Sequence, residues 1–254
     1  MMVIKAGGSV ITRKGSDPVF DHVVSARLAK TLSRLNEPFV IVHGSGSFGK
    51  PPARRYGYLS GRIRPGTAPL AAIKASLLEL HSLFITGLVS GGVNAVSCPG
   101  CACFSLDAGR PRLRARGTIL DWLVRGFVPV INSDIFPCGG GRFRVISSDA
   151  LLAELCAELS PELAVFFTDT PGLLDGAGSV IGSLSRAPLL KLRRSVPPSP
   201  QDVSGGMRGK MMELALINAG GVDAAILDGR RPGELLKLRG GLRAKGTYIH
   251  APKK

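Results

Sequence analysis

The stretch Phe39 to Lys50, FVIVHGSGSFGK, narrows the possible folds more than any other part of this chain. A four-residue apolar run, Phe39-Val40-Ile41-Val42, breaks off into a loop with glycine at 44, 46 and 49. A short apolar run bounded by glycines is the pattern of a strand buried on both faces, as in a parallel sheet. Open sheets of that kind bind ligands beyond the carboxyl ends of their strands. Glycine lets the backbone approach an anion, and Ser45 and Ser47 add hydroxyls to bare N–H groups, so the loop suits phosphate. Met2 to Ala6 repeats the arrangement: it runs into Gly7-Gly8-Ser9, with Lys5 just before the glycines and Lys14 beyond them. The Gly7-Gly8-Ser9 junction has neither the GxxxxGK[ST] spacing of a P-loop nor the GxGxxG of a dinucleotide fold.

Between the two loops, Val24, Leu28, Leu32 and Leu35 recur at helical spacing, making the first 50 residues a βαβ unit with both glycine loops facing one crevice. Pro51-Pro52 and the basic stretch Arg54 to Gly66 read as an ordered loop or lid. Thr67 can cap a long helix to about Val89, striped by Leu70, Ile73, Leu77, Leu80, Phe84 and Leu88. Strands are expected at Val93 to Ser97 and Phe127 to Ile131, a hairpin arm at Arg142 to Ile146, and further strands at Ala164 to Thr168, Asp223 to Leu227 and Thr247 to His250. Ser147-Ser148-Asp149 is a helix N-cap cluster ahead of Leu151, Leu152, Leu155 and Leu159. Pro188 to Pro200 reads as a mobile surface segment. Asp202 to Lys210, with Gly205 and Gly206, opens a helix whose first turn carries a lysine, a third place for phosphate.

A net charge of +15 admits a nucleic-acid partner or a positive field for small polyphosphates. The cations are scattered, and only three Tyr and one Trp could stack bases, which disfavours nucleic acid. No apolar stretch approaches the roughly 18 residues of a membrane span, and the first residues run straight into a strand, so a cytoplasmic protein without a membrane partner is expected. Five cysteines, an odd count, argue against a disulfide framework. Cys98, Cys101 and Cys103 in CPGCAC fall short of a four-ligand metal site, and reduced, mostly buried thiols are expected there.

The ordered set IKAGGSVITRKG, VHGSGSFGK, VPVINSD, ISSDALLAEL, TDTPGLL and DVSGGMRGK resembles the amino acid kinase superfamily over nearly the whole chain. Within it the chain looks most like the archaeal isopentenyl phosphate kinases, with fosfomycin-phosphorylating kinases as relatives. The resemblance implies an α/β fold, a three-layer αβα sandwich on a mainly parallel sheet. It implies one domain over 1–254, with an acceptor-binding lobe at 1–160 and a nucleotide-binding lobe at 161–254. It further implies an ATP- and magnesium-dependent kinase, with the magnesium carried by ATP rather than by a protein metal site, and a homodimer.

Carried over residue by residue, Lys5, Lys14, Asp149 and Lys210 match the catalytic set, with Asp149 holding the lysines. Lys5, Gly7, Gly8, Ser9, Gly46, Asp169, Gly172, Gly205, Gly206 and Lys210 match the nucleotide side. Gly44, Ser45, Gly49, Lys50, Ser147 and Ser148 match the acceptor side. Phosphoryl transfer needs positioning and positive charge more than a covalent catalyst, which suits this set. In the family the second loop ends in histidine, which binds the acceptor's phosphate; here it is Lys50, a permanently charged donor. Ser45 stands where glycine is usual. His43 reads as structural and not as a stand-in for the missing histidine. An apolar tail on the acceptor would lie beside the long helix, among Leu77, Leu80 and Phe84. The acceptor is read as isopentenyl phosphate. The alternatives are another alkyl phosphate, a phosphonate or UMP, or a non-catalytic relative that binds nucleotide or nucleic acid.

Overall fold

The structure, a computed structural model, describes residues 1–15, 17–55, 62–63, 68–197 and 206–252. In chain order the elements are β1 (Met2–Ala6), α1 (Gly8–Ile11), α2 (His22–Leu32), β2 (Phe39–His43), α3 (Gly46–Arg55), β3 (Arg62–Ile63), α4 (Ala68–Ser90) and β4 (Ala95–Ser97). There follow α5 (Gly100–Cys103), β5 (Phe104–Asp107), β6 (Arg110–Leu113), α6 (Arg116–Val124), β7 (Val128–Asn132), β8 (Asp134–Pro137), β9 (Phe143–Ile146) and α7 (Ser148–Leu159). The chain ends with β10 (Leu163–Thr168), β11 (Ser183–Leu184), α8 (Arg186–Ser195), α9 (Gly206–Ala219), β12 (Asp223–Asp228), α10 (Glu234–Arg239) and β13 (Thr247–Ile249).

Eight strands form one sheet in the order β11-β13-β12-β10-β1-β2-β7-β4, parallel except where β13 runs against β12. The central position of β1 and β2 follows from their composition, since all ten residues are buried and only strands covered on both faces can be so apolar. Side chains alternate across the sheet. Met2, Ile4 and Ala6 join Phe39, Ile41, Val165 and Phe167 in the core under α2 and α4, while Val3, Val40, Val42 and Phe166 join the core under α7 and α9. Lys5 therefore projects to the α7 and α9 side, and this parity decides what it can meet.

Three regions depart from the sequence reading. The second glycine loop is not all loop, because α3 starts at Gly46 and carries Pro51 and Pro52 inside it. Pro52 has no N–H to give Phe48, and the Ser76 hydroxyl on α4 donates to that carbonyl instead, at 3.1 Å. The segment expected to be mobile after Pro188 is helix α8 as far as Ser195, its Leu189 sunk into the core beside α9. Its weak signal in sequence comes from one buried side chain among cations. Third, Pro69–Ser90 is a helix long and apolar enough to cross a membrane by length and composition, although Lys74 and Glu79 break it as an apolar run. In the fold it packs along α2, with Leu80, Phe84 and Leu88 fully inside the core. The expected cap Thr67, most of the Arg54 to Gly66 lid, Pro198 to Pro200 and Asp202 to Gly205 lie outside the described residues.

Candidate active site

The carboxyl ends of β1, β2 and β10 open onto a cavity of about 530 Å³. Three of its features follow from chain geometry. First, both glycine loops reach it and touch each other. A Cβ on Gly8 would lie 2.3 Å from the Gly46 nitrogen, and one on Gly44 would lie 2.7 Å from the Gly8 nitrogen, so at these positions hydrogen is the only side chain that fits. The loops are also tied by Thr12, whose hydroxyl donates to the Gly8 carbonyl at 2.7 Å and accepts from the Ser47 N–H at 3.0 Å. Gly46 itself sits at φ +48°, the left-handed region that glycine enters without strain.

Second, the first residues of α1, α3, α7 and α9, namely Gly8, Gly46, Ser148 and Gly206, all line the cavity. Helix starts carry unpaired N–H groups and partial positive charge, and at α3, α7 and α9 they are long enough for the dipole to count. Helix α7 is set in place by Ser147, whose side chain accepts from the Ala150 N–H at 3.2 Å.

Third, Lys5 of β1, Lys210 of α9 and Asp149 of α7 meet. One carboxylate oxygen of Asp149 accepts from Lys5 Nζ at 2.5 Å and from Lys210 Nζ at 3.0 Å, with all three residues nearly buried. Lys210 also lies 5.4 Å from the centre of the Phe166 ring, a cation held over an aromatic face. Burial pulls the Lys5 ammonium down to about 7; Asp149 opposes this and the like charge of Lys210 adds to it. Burial alone would push Asp149 up, yet Lys210 and Lys5 hold it well below the usual carboxylate range. Two ammonium groups share one carboxylate, so the cluster carries surplus positive charge beside four helix starts.

At the rim Lys14 pairs with Asp169 at 2.8 Å, Lys14 being exposed, and the pairing holds the Asp169 carboxyl down against its partial burial. Lys50, Ser45 and Gly49 line the opposite wall. Below them is an apolar floor of Ala53, Ile73, Leu77 and Ile135 with Val145 against it. In all, five cationic side chains (Lys5, Arg13, Lys14, Lys50, Lys210) face three carboxylates around the cavity. The arrangement can hold a polyanion by backbone and ammonium groups, and it can hold an apolar appendage beside it.

The sequence-expected residues Lys5, Gly7, Gly8, Ser9, Lys14, Gly44, Ser45, Gly46, Gly49, Lys50, Ser147, Ser148, Asp149, Asp169, Gly206 and Lys210 all line this one cavity. Gly172 does not: a Cβ there would meet the Thr247 hydroxyl at 2.6 Å, so it is a packing glycine under β13. Gly205 lies outside the described residues. The apolar floor also differs from expectation. Leu77 is in it, with Ile73, but Leu80 and Phe84 point one turn deeper into the core. There Phe84 packs edge-on against His43, whose Nε2 shares a 2.8 Å hydrogen bond with His81 Nδ1. His43 is buried and its pKa is lowered to about 3, chiefly by burial, so it is a neutral structural residue. Sequence reasoning missed Thr12 and Asp134. Thr12 lay in plain view inside IKAGGSVITRKG, but its loop-to-loop bond spans 35 residues and leaves no local pattern.

The Lys5 ionisation has a sign that can be measured. Above about pH 7 the ligand-free protein holds Lys5 increasingly neutral, and an anion bound beside it raises its affinity for a proton. Inorganic tripolyphosphate binding at pH 8 is therefore expected to take up about one proton and to weaken as pH rises from 7 to 9. Calorimetry in buffers of different ionisation heat reads this, and proton-neutral binding at pH 8 would show that Lys5 is already fully charged. For folding the sign is opposite: a buried lysine with a lowered pKa destabilises most when charged, so its contribution improves as pH rises from 7 towards 10.5.

Residues 1–228 match the model of the amino acid kinase family. An isopentenyl phosphate kinase of Methanothermobacter thermautotrophicus is 32% identical, the match covering 98% of each chain. One of Thermoplasma acidophilum is 28% identical over 68% of this chain and 69% of its own. An X-ray structure of isopentenyl phosphate kinase superposes with a TM-score of 0.80 at 27% identity, covering 98% of this chain and 99% of the other.

Proposed function

The chain belongs to the amino acid kinase family, and on that premise we propose that it is a kinase that transfers the γ-phosphoryl group of ATP to isopentenyl phosphate, giving isopentenyl diphosphate. One observation carries this reading: a buried Lys5-Asp149-Lys210 cluster ringed by helix starts lies in the same cavity as an apolar floor. The charged part suits a polyphosphate in transfer, and the floor suits a short hydrocarbon on the acceptor.

In this reading Lys5, Lys210 and the glycines at 7, 8 and 206 hold the nucleotide's β- and γ-phosphates, with Asp149 spacing the two ammonium groups. Lys14 leaves Asp169 to meet charge that develops on the transferring group. Gly44, Ser45, Gly49, Ser147, Ser148 and Lys50 take the acceptor phosphate, leaving the tail to Ile73, Leu77 and Ile135. Catalysis is then placement and electrostatics, with no covalent intermediate on the protein. The cavity carboxylates are each committed to a lysine, Asp149 to Lys5 and Lys210, Asp169 to Lys14, Asp134 to Lys74. A magnesium ion would therefore arrive held by the phosphates of ATP, as that ion prefers, and would supply charge neutralisation there.

The proposal includes an acceptor lobe at 1–160 and a nucleotide lobe at 161–254. A homodimer and a cytoplasmic location complete the reading. Helix α4 supports the first, because Ala71, Ala75, Leu78, Ser82, Thr86 and Val89 form an exposed uncharged stripe on a strongly basic chain. The second is supported by the five cysteines, all of them free.

Steady-state turnover with isopentenyl phosphate tests the acceptor, using wild type, Lys50→His and Lys50→Ala. Wild type is expected to turn over, with Lys50→Ala raising the acceptor KM about tenfold or more, the scale of one charge-assisted hydrogen bond, and Lys50→His staying close to wild type. Wild type inert on isopentenyl phosphate but active on another small phosphate or phosphonate, or on UMP, would keep the reaction and replace the substrate.

A further inference from the structure

Lys74 is not among the residues that line the cavity, although its partner Asp134 is. Its Nζ donates to both carboxylate oxygens of Asp134, at 2.6 and 2.7 Å, and lies 3.3 Å from the Cys101 sulfur of α5. Asp134 is 4% exposed and stands at the start of β8, where its Oδ1 also accepts from the Ile135 N–H at 2.7 Å. Each end of the pair adjoins a floor residue. Ile73 precedes Lys74 on α4 and Leu77 lies one turn on, while Ile135 follows Asp134. The floor cluster contains four buried side chains, few enough that apolar packing alone leaves the distance between α4 and β8 loosely set. A two-oxygen ion pair with one partner fully desolvated is directional and costly to break, so it fixes that distance.

We infer that the Lys74–Asp134 pair is a positioning device that sets the width of the acceptor's apolar compartment, making Lys74 a specificity-determining residue that touches neither substrate. This rests on the isopentenyl phosphate reading above for what the compartment holds, and adds what limits its size. A pocket wall that yields admits longer chains, and each methylene accommodated or refused in an apolar pocket changes discrimination by about tenfold or more.

The test compares wild type, Lys74→Met, which keeps the unbranched stem and loses the charge, Lys74→Arg, and Asp134→Asn, which keeps an acceptor for the Ile135 N–H. Binding and turnover are measured with a five-carbon and a ten-carbon alkyl phosphate. Lys74→Met and Asp134→Asn are expected to raise the five-carbon KM about tenfold and to shift the ten-carbon to five-carbon ratio of kcat/KM by about tenfold towards the longer chain. The KM for ATP should stay within about twofold, and Lys74→Arg should restore the wild-type ratio. A ratio unchanged in a folded Lys74→Met protein overturns the inference, as does an equal loss with both acceptors. If Lys74→Met does not fold, Asp134→Asn and Lys74→Arg decide it by the same ratio. Wild type that neither binds nor turns over the five-carbon phosphate but binds two other alkyl phosphates of different length defeats the acceptor reading alone, because the ratio of their calorimetric affinities, compared across the same variants, then reads the chain-length preference, and an unchanged ratio overturns the inference.

Discussion

Asp149→Asn is expected to lower kcat/KM by about 10² to 10³, the scale of removing a charge-positioning group from a preorganised site. The reason lies in the number of partners. Among the described residues Asp149 is the sole carboxylate paired with either Lys5 or Lys210, and one of its oxygens receives both. An asparagine oxygen can still accept from one ammonium, but it brings no charge to offset the second. Two ammonium groups then face each other in a buried site, and the one that is easier to discharge is Lys5, already pulled down to about 7 by burial. The variant should hold Lys5 neutral at pH 7.5 and lose its charge towards the polyphosphate. Removing one partner of a buried pair costs about 3–5 kcal/mol where the other must stay charged. Here Lys5 can shed its proton, so the loss of stability should be larger at pH 6 than at pH 8. Urea midpoints for wild type and variant at both pH values, with kinetics alongside, read both effects. A variant within about threefold of wild type in kcat/KM, a change below one hydrogen bond's worth, would show that the lysines hold their places without Asp149.

The same cluster shows what was legible in the chain and what was not. Lys5, Asp149 and Lys210 were each visible because each sits at a strand end or a helix start with its own local signature: an apolar run into glycines, an S-S-D cap, a GGMxxK turn. That all three meet follows from strand parity, which can be counted along Met2 to Ala6. Relations without local grammar stayed hidden. Ser76 covering the carbonyl that Pro52 leaves open, Thr12 tying two loops, and Lys74 reaching Asp134 each join residues from 28 to 60 positions apart. None has a sequence pattern, because any hydroxyl or ammonium at the right height would serve. Gly172 failed for the converse reason. It has the look of a ligand loop, TDTPGLL, and its small size is used instead to let Thr247 approach. The helix α8 stayed hidden because its one buried side chain, Leu189, gives no period to count.

Gly8→Ala is expected to be as damaging as the loss of Asp149, although it removes no functional group. The added Cβ would lie 2.3 Å from the Gly46 nitrogen and 2.7 Å from its Cα. These are backbone atoms, so no side chain can swing aside, and the two glycine loops must separate by about an ångström to restore contact distances. That movement opens the Thr12 bridge to Ser47 and shifts the starts of α1 and α3 relative to Lys5. A displacement of that size in a site built on placement costs about 10² in turnover, and the overpacking about 1–3 kcal/mol in stability. Gly117→Ala separates this from any general effect of alanine. Gly117 lies in helix α6 with nothing within 4 Å of its would-be Cβ, so alanine there should stabilise by about 0.5–1 kcal/mol and leave turnover unchanged. Opposite signs for two Gly→Ala changes, read by thermal unfolding and kcat/KM, would place the demand for glycine in the contact between the loops. Full activity in Gly8→Ala would mean that the loops can part without moving the lysines, and phosphate placement would then rest on Lys5, Lys210 and Asp149 alone.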